Sequence, residues 1–153
     1  MSVIKEMALA EPLVDIVESR AVISNTQPIL NLDIMTCRRE DLTFRSEFSL
    51  KFSRNDFCHA FVAYFECAFS LVHKPIVFTT SPHAKYTHWK QVVYYLQEPL
   101  TVCSGEDLSA VIDVAPNAKN PSKMKFFISQ FYVFLNVYRR LPPQHFTYTT
   151  QGI

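Results

Sequence analysis

The sequence predicts a mainly β fold: an antiparallel β-barrel or sandwich with a short N-terminal helical segment, incomplete at its C-terminus. Three observations carry that expectation. Apolar residues, phenylalanine above all, recur at every second position over long stretches, the period of a pleated strand and not of a helix. Aromatics are abundant, with thirteen Phe and seven Tyr in 153 residues, and aromatic side chains favour sheet. Turn residues return at short intervals without the intervening amphipathic helices that βαβ units require.

The elements follow in chain order. Ser2 to Ala10 sets Ile4, Met7 and Ala8 at helical spacing, with Lys5 and Glu6 opposite, Ser2 at the N-cap and Pro12 as a stop. So short a helix needs something to lean on. Pro12 to Ile34 reads as irregular, with turn chemistry at Ser24-Asn25 and a break at Pro28. Phe48, Leu50 and Phe52 then alternate with Ser49, Lys51 and Ser53, the mark of a strand with one wet face. After a turn at Arg54-Asn55-Asp56, both alternating sets from Phe57 to Phe69 are largely apolar. That predicts one central strand covered on both faces. A helix is the rival reading, but phenylalanine at every second position fits a pleat better.

Pro75 and Pro82 punctuate a connection into a strand from Trp89 to Leu96. Leu100 to Cys103 and Leu108 to Val114, joined by Ser104-Gly105-Glu106-Asp107, predict a hairpin. Pro116 to Pro121 reads as a loop whose prolines cannot donate to a ladder. The aromatic run from Phe126 to Tyr138 predicts a closing strand. Ser129, Gln130 and Asn136 interrupt it, and it falls short of the about 20 apolar residues of a membrane helix. Beyond Arg139-Arg140 the Thr- and Gln-rich end reads as frayed.

Composition narrows the function classes. Fifteen Lys and Arg against fourteen Asp and Glu leave a net charge of +1, so no basic stripe supplies the phosphate-neutralising term of a nucleic-acid binder. Only Gly105 and Gly152 occur, so no glycine-rich turn lets a nucleotide or a methyl-donor cofactor approach the backbone. No Cys-x-x-Cys or His-x-x-x-His pair joins Cys37, Cys58, Cys67, Cys103 and the five histidines into a metal site. Without a secretory signal or membrane span, the cysteines read as reduced thiols of the cytoplasm or nucleus.

Two short runs, Phe78-Thr79-Thr80-Ser81-Pro82 and Tyr86-Thr87-His88-Trp89-Lys90-Gln91, resemble the type I protein arginine methyltransferases. Glu11-Pro12-Leu13-Val14-Asp15, Glu40-Asp41-Leu42-Thr43-Phe44, Arg54-Asn55-Asp56, Ala60-Phe61-Val62-Ala63-Tyr64-Phe65 and Pro116-Asn117-Ala118-Lys119-Asn120 match in the same order. The likeness is collinear from Met1 to about Ile128. It implies a two-part catalytic core. A Rossmann-like domain binds S-adenosylmethionine and supplies two acids that grip the substrate guanidinium. A C-terminal β-barrel with a helical dimerisation arm closes the arginine channel.

On this resemblance, residues 1–20 are part of the arm, 21–128 the barrel and 129–153 a divergent tail. The expected assembly is a piece of a longer enzyme with no cofactor-binding residue of its own. S-adenosylmethionine would come with the complete enzyme, and the partners would be a full-length methyltransferase subunit and Arg-containing proteins such as histones and Arg-Gly-rich proteins.

The resemblance makes His88 the candidate catalytic residue, paired in the family with an Asp of the cofactor domain that would orient its imidazole. Thr87 and Trp89 would set the loop, Trp89 packing against the segment that carries the paired acids. Taken alone, Thr87-His88-Trp89 is equally a strand entry, since Thr and Trp favour strands. No autonomous activity is expected. The alternative is a non-catalytic module that binds a full-length methyltransferase or its substrates; an unrelated barrel around an apolar ligand is a third reading.

Overall fold

The computed structural model describes residues 12–117, 120–134, 138–141 and 144–147, and these hold ten strands, paired antiparallel. The predicted helix at Ser2 to Ala10 lies outside them. The strands are β1 (Leu13–Asp15), β2 (Phe44–Lys51), β3 (Asp56–Ala63), β4 (Glu66–Phe69), β5 (Ile76–Thr79), β6 (Gln91–Val102), β7 (Asp107–Asn117), β8 (Asn120–Phe134), β9 (Tyr138–Leu141) and β10 (Gln144–Thr147). Single 3₁₀ turns occupy Ser19–Ala21 and Arg39–Leu42.

Three sheets result. One has the order β1-β6-β3, the second runs β10-β8-β7-β2 with β9 also on β8, and the third is the β4-β5 pair. The predicted mainly β, antiparallel class is what the chain adopts. The core lies between the two larger sheets. Leu108, Ala110, Ile112 and Val114 of β7 meet Tyr94, Leu96 and Val102 of β6, with Cys58 of β3 and Phe52 just after β2.

Alternation in the sequence and in burial coincide most closely in β2. From Phe44 to Lys51 half-buried and exposed residues strictly alternate, and Phe48 turns its ring edge-on to Phe61 at 6.1 Å. Its outer face carries Arg45, which binds both carboxylate oxygens of Asp113 across the ladder at 2.9 and 3.0 Å. Such a pair on an exposed face contributes little to stability.

Several expectations are corrected. The stretch after Pro12 is not wholly irregular: Leu13–Asp15 pairs with β6, Leu13 opposite Val93 and Asp15 opposite Gln91. Phe57 to Phe69 is not one strand. It breaks at Tyr64-Phe65, where Thr80 captures the Phe65 backbone, and resumes as β4 on a different partner. Nor is β3 central; β6 holds that place, and β3 is the edge with Phe57 56% exposed. An aromatic at every second position specifies a strand, not its depth in a sheet.

The predicted hairpin is a turn without a hairpin. Gly105 adopts φ +85°, the left-handed conformation that favours glycine. The strands that flank it diverge, β6 to β3 and β7 to β2 and β8. The turn is held to the end of β2 instead, Gly105 N–H donating to Phe52 C=O at 2.8 Å and Phe52 N–H to Glu106 C=O at 2.9 Å. Strand β6 also runs unbroken through Pro99, with its register to β3 shifting between Cys58 and Ala60. The strain of accommodating proline and the surplus residues is taken by that irregularity.

At the other end of β7, strand extends to Asn117 and resumes at Asn120, with a register shift beside Pro116. The loop expected from Pro116 to Pro121 is therefore shorter than the prolines suggest. The aromatic run forms β8, a closing strand that pairs with β7, β9 and β10. The frayed end expected beyond Arg140 includes β10, Gln144 opposite Ile128 and Thr147 opposite Lys125.

Candidate functional site

The loop from Thr80 to Lys90 leaves β5, crosses the end of the first sheet and enters β6. Its local turns are polar. Ser81 N–H donates to Thr79 Oγ1 at 3.1 Å, His83 N–H to Ser81 Oγ at 3.2 Å and Ala84 N–H to Ser81 C=O at 3.0 Å. Side-chain acceptors of this kind substitute for sheet partners in a turn. Closer to β6, the half-buried Thr87 donates its hydroxyl to Trp89 C=O at 3.1 Å, closing the tripeptide on itself.

Trp89 anchors the loop. Its indole stacks on Phe78 of β5 at 5.7 Å and 18°, and meets Phe65 edge-on at 5.9 Å and 75°. Phe65 and Phe78 are themselves T-shaped at 6.0 Å. Three aromatic contacts of this geometry contribute beyond area burial alone. The His88 imidazole lies against the indole at 4.1 Å and faces solvent. Among the described residues no hydrogen bond or ion pair reaches it.

Beneath the loop sits a pair of buried polar residues that sequence reasoning missed. Thr80 donates its hydroxyl to Phe65 C=O and accepts Phe65 N–H, both at 3.1 Å. Gln91, at the first position of β6, donates Nε2–H to Thr80 C=O at 2.8 Å and accepts Val17 N–H on Oε1 at 2.8 Å. Burial without a partner would be costly for either group, and each has hydrogen-bond partners. One signal was available: Gln91 is an amide set directly before the apolar run Val92 to Leu96.

A recess of about 210 Å³ opens between Ile16-Val17-Glu18 and the loop from Thr80 to Gln91. Glu18 is its one carboxylate and is ion-paired to Arg20. As a holder for S-adenosylmethionine the described residues fit poorly: the recess has no glycine, and Gly105 lies in the distant β6–β7 turn. No group of three metal-ligating side chains is found among the described residues, and among them no helix is long and apolar enough to cross a membrane. The cysteines are free; Cys58 is buried, and that burial pushes its thiol up to about 11.

These geometries acquire meaning from known proteins. A family model described as the arginine methyltransferase oligomerization subdomain matches residues 1–132. The chain belongs to the protein arginine methyltransferase family. It is 46% identical over 129 residues to protein arginine N-methyltransferase 1 of Chlamydomonas reinhardtii, covering 84% of this chain and 37% of that protein. To protein arginine N-methyltransferase 8-B of Danio rerio it is 44% identical over 126 residues, 82% of this chain and 30% of that one. The chain thus spans about a third of the length of these methyltransferases.

Among solved structures, the Trypanosoma brucei PRMT1 enzyme-prozyme heterotetrameric complex with AdoHcy matches with a TM-score of 0.87 at 30% identity, over 97% of this chain and 47% of that one. Arabidopsis thaliana protein arginine methyltransferase 10 matches in fold, with a TM-score of 0.83 at 15% identity, over 90% of this chain and 42% of that one. The β4–β5 pair and the turn that joins it leave large apolar residues in solvent, Val77 of β5 64% and Leu71 of the turn 94% exposed.

Proposed function

We propose that this chain is the substrate-binding and oligomerisation barrel of a protein arginine methyltransferase, acting on arginine in proteins such as histones and Arg-Gly-rich proteins once a cofactor-binding domain docks against it. The observation that supports this reading most directly is the match of the oligomerization subdomain over residues 1–132. His88 would stand at the side of the arginine channel, with Trp89 and Thr87 holding the loop.

Methyl transfer needs the guanidinium nitrogen aligned with the methyl sulfonium and carboxylates to localise charge on it. A guanidinium is best gripped by carboxylates that meet its planar fork. The recess beside His88 offers only Glu18, already paired with Arg20. The paired acids, the Asp that orients His88 and S-adenosylmethionine itself would come from the docked domain. We therefore expect no turnover by this chain alone, and a place in the cytoplasm and nucleus beside its methyltransferase partner.

A second reading, a non-catalytic module that binds a full-length methyltransferase and modulates it, is favoured by the exposed apolar β4–β5 pair. One experiment addresses both. Methyl transfer from radiolabelled S-adenosylmethionine to an Arg-Gly-rich peptide is measured with the chain alone, and with the chain titrated into a full-length type I methyltransferase. Size-exclusion chromatography with light scattering follows complex formation. No transfer alone, with a complex formed, is the expected result; transfer by the isolated chain would overturn the proposal. An unchanged rate in the complex would discount the modulatory reading.

A further inference from the structure

The ladder between β1 and β6 ends at Asp15 opposite Gln91. Past that point the two main chains separate, and the recess beside the His88 loop opens between Ile16-Val17-Glu18 and Thr80 to Gln91. The Gln91 side chain crosses this divergence. It lies only 7% exposed, with Oε1 on Val17 N–H and Nε2 on Thr80 C=O, each at 2.8 Å. Thr80 is where the His88 loop leaves β5. Val17 lies two residues beyond β1, on the segment that leads in from the N-terminal residues. The only other described link across the gap is the exposed pair of Lys90 Nζ with Asp15 Oδ1 at 3.7 Å, which solvent screens.

The chemistry of the position is demanding. One bond needs a donor and the other an acceptor, on a side chain with no charge to desolvate. A primary amide supplies both on one rigid plane. A carboxylate could not donate, and a lysine could not accept. Thr80 extends the connection, since its hydroxyl and its own N–H both bind the Phe65 backbone, and Phe65 carries one wall of the Trp89 platform.

We propose that Gln91 is a positioning residue that couples the segment following β1 to the His88 loop, so that a displacement of Val17 reaches Thr80 and with it the base of the loop. The functional meaning rests on the reading of that loop as one side of the arginine channel; the coupling itself needs no methyl transfer.

The test is a double-mutant cycle read by nuclear magnetic resonance on the labelled full chain. Val17→Pro removes the donor and Gln91→Met removes both polar ends at similar volume. The signals followed are the Trp89 indole N–H and the His88 ring, assigned with His88→Gln. In the Gln91 background, Val17→Pro should shift both signals. In the Gln91→Met background the same substitution should shift them at least about fivefold less, the non-additivity expected of residues in one hydrogen-bond network. Equal shifts in the two backgrounds would mean that Gln91 merely stabilises, and would overturn the proposal.

The unsubstituted chain supplies a second measurement should Val17→Pro fail to fold. A through-hydrogen-bond scalar coupling between Val17 nitrogen and the Gln91 side-chain carbonyl carbon should be present. The Val17 amide should exchange about tenfold faster in Gln91→Met. Absence of both would overturn the proposal equally. Because neither readout involves catalysis, a failed methylation experiment leaves this test standing, and the reverse holds.

Discussion

Thr80→Val is the perturbation that most cleanly separates polar from apolar bookkeeping beneath the His88 loop. Valine is nearly isosteric with threonine, and Thr80 is only 2% exposed, so a purely hydrophobic argument predicts a neutral or stabilising change. The hydrogen bonds predict otherwise. Phe65 C=O keeps one donor after the substitution, the Thr80 N–H at 3.0 Å. Phe65 N–H loses its acceptor, the Thr80 hydroxyl at 3.1 Å. One stranded donor costs about 1–3 kcal/mol when buried. Phe65 as a whole is 45% exposed, so water offsets part of the loss, and about 1.5 kcal/mol is expected. For a chain of this size that lowers Tm by roughly 3–6 °C. Thr80→Ser keeps both bonds and loses one buried methyl, about 0.8 kcal/mol. Urea titrations followed by the fluorescence of Trp89 measure both variants. The expected order of stability is threonine, then serine, then valine; valine equal to or above threonine would refute the reasoning.

Two further predictions concern ionisable groups. The Asp56 carboxyl is held below its ordinary value of 3.8 by the Phe57 N–H at its Oδ1, 2.8 Å away, and by the Arg54 guanidinium at 3.0 Å. A depressed carboxylate stabilises the fold above the unfolded value and loses that contribution as pH falls through the folded one. The urea midpoint of Asp56→Asn should therefore lie below that of the parent chain at pH 6 and converge with it under strong acid. A gap that persists unchanged at low pH would contradict the assignment. Cys58 is buried, with its thiol pushed up to about 11, whereas Cys37 is exposed. Maleimide labelling at pH 7.5 with peptide mapping should modify Cys37 first and Cys58 only on unfolding. Early labelling of Cys58 in the folded chain would show that the β3–β6 core opens readily.

Where apolar alternation was simple, the sequence spoke plainly. Strand β2 exposes every second residue, and the inward residues of β7 are the core itself; each could be read from local period alone. What stayed hidden was non-local. Leu13–Asp15 is three exposed residues whose strand identity depends on β6, almost eighty positions away. The Phe57–Phe69 run keeps its alternation through the break, because the break is made by Thr80 and not by a proline or glycine within it. The Gly105 turn was legible as a turn, but a turn does not say whether its flanking strands share a sheet. Here Gly105 N–H binds Phe52 and ties the turn to β2.

The candidate site obeys the same division. Trp89 and Gln91 are two residues apart, and both turn toward protein, one onto Phe65 and Phe78, the other onto Thr80 and Val17. Trp89 itself remains 41% exposed, and His88 before it and Lys90 after it are exposed too; Gln91 alone of the four is buried. The burial of the strand begins at Gln91. The inward contacts fix the backbone on either side of His88, whose exposed imidazole lies against the Trp89 indole. A bulky apolar residue at position 88 would leave these contacts in place, whereas loss of Gln91 would keep the imidazole and release the hydrogen bonds beneath its loop.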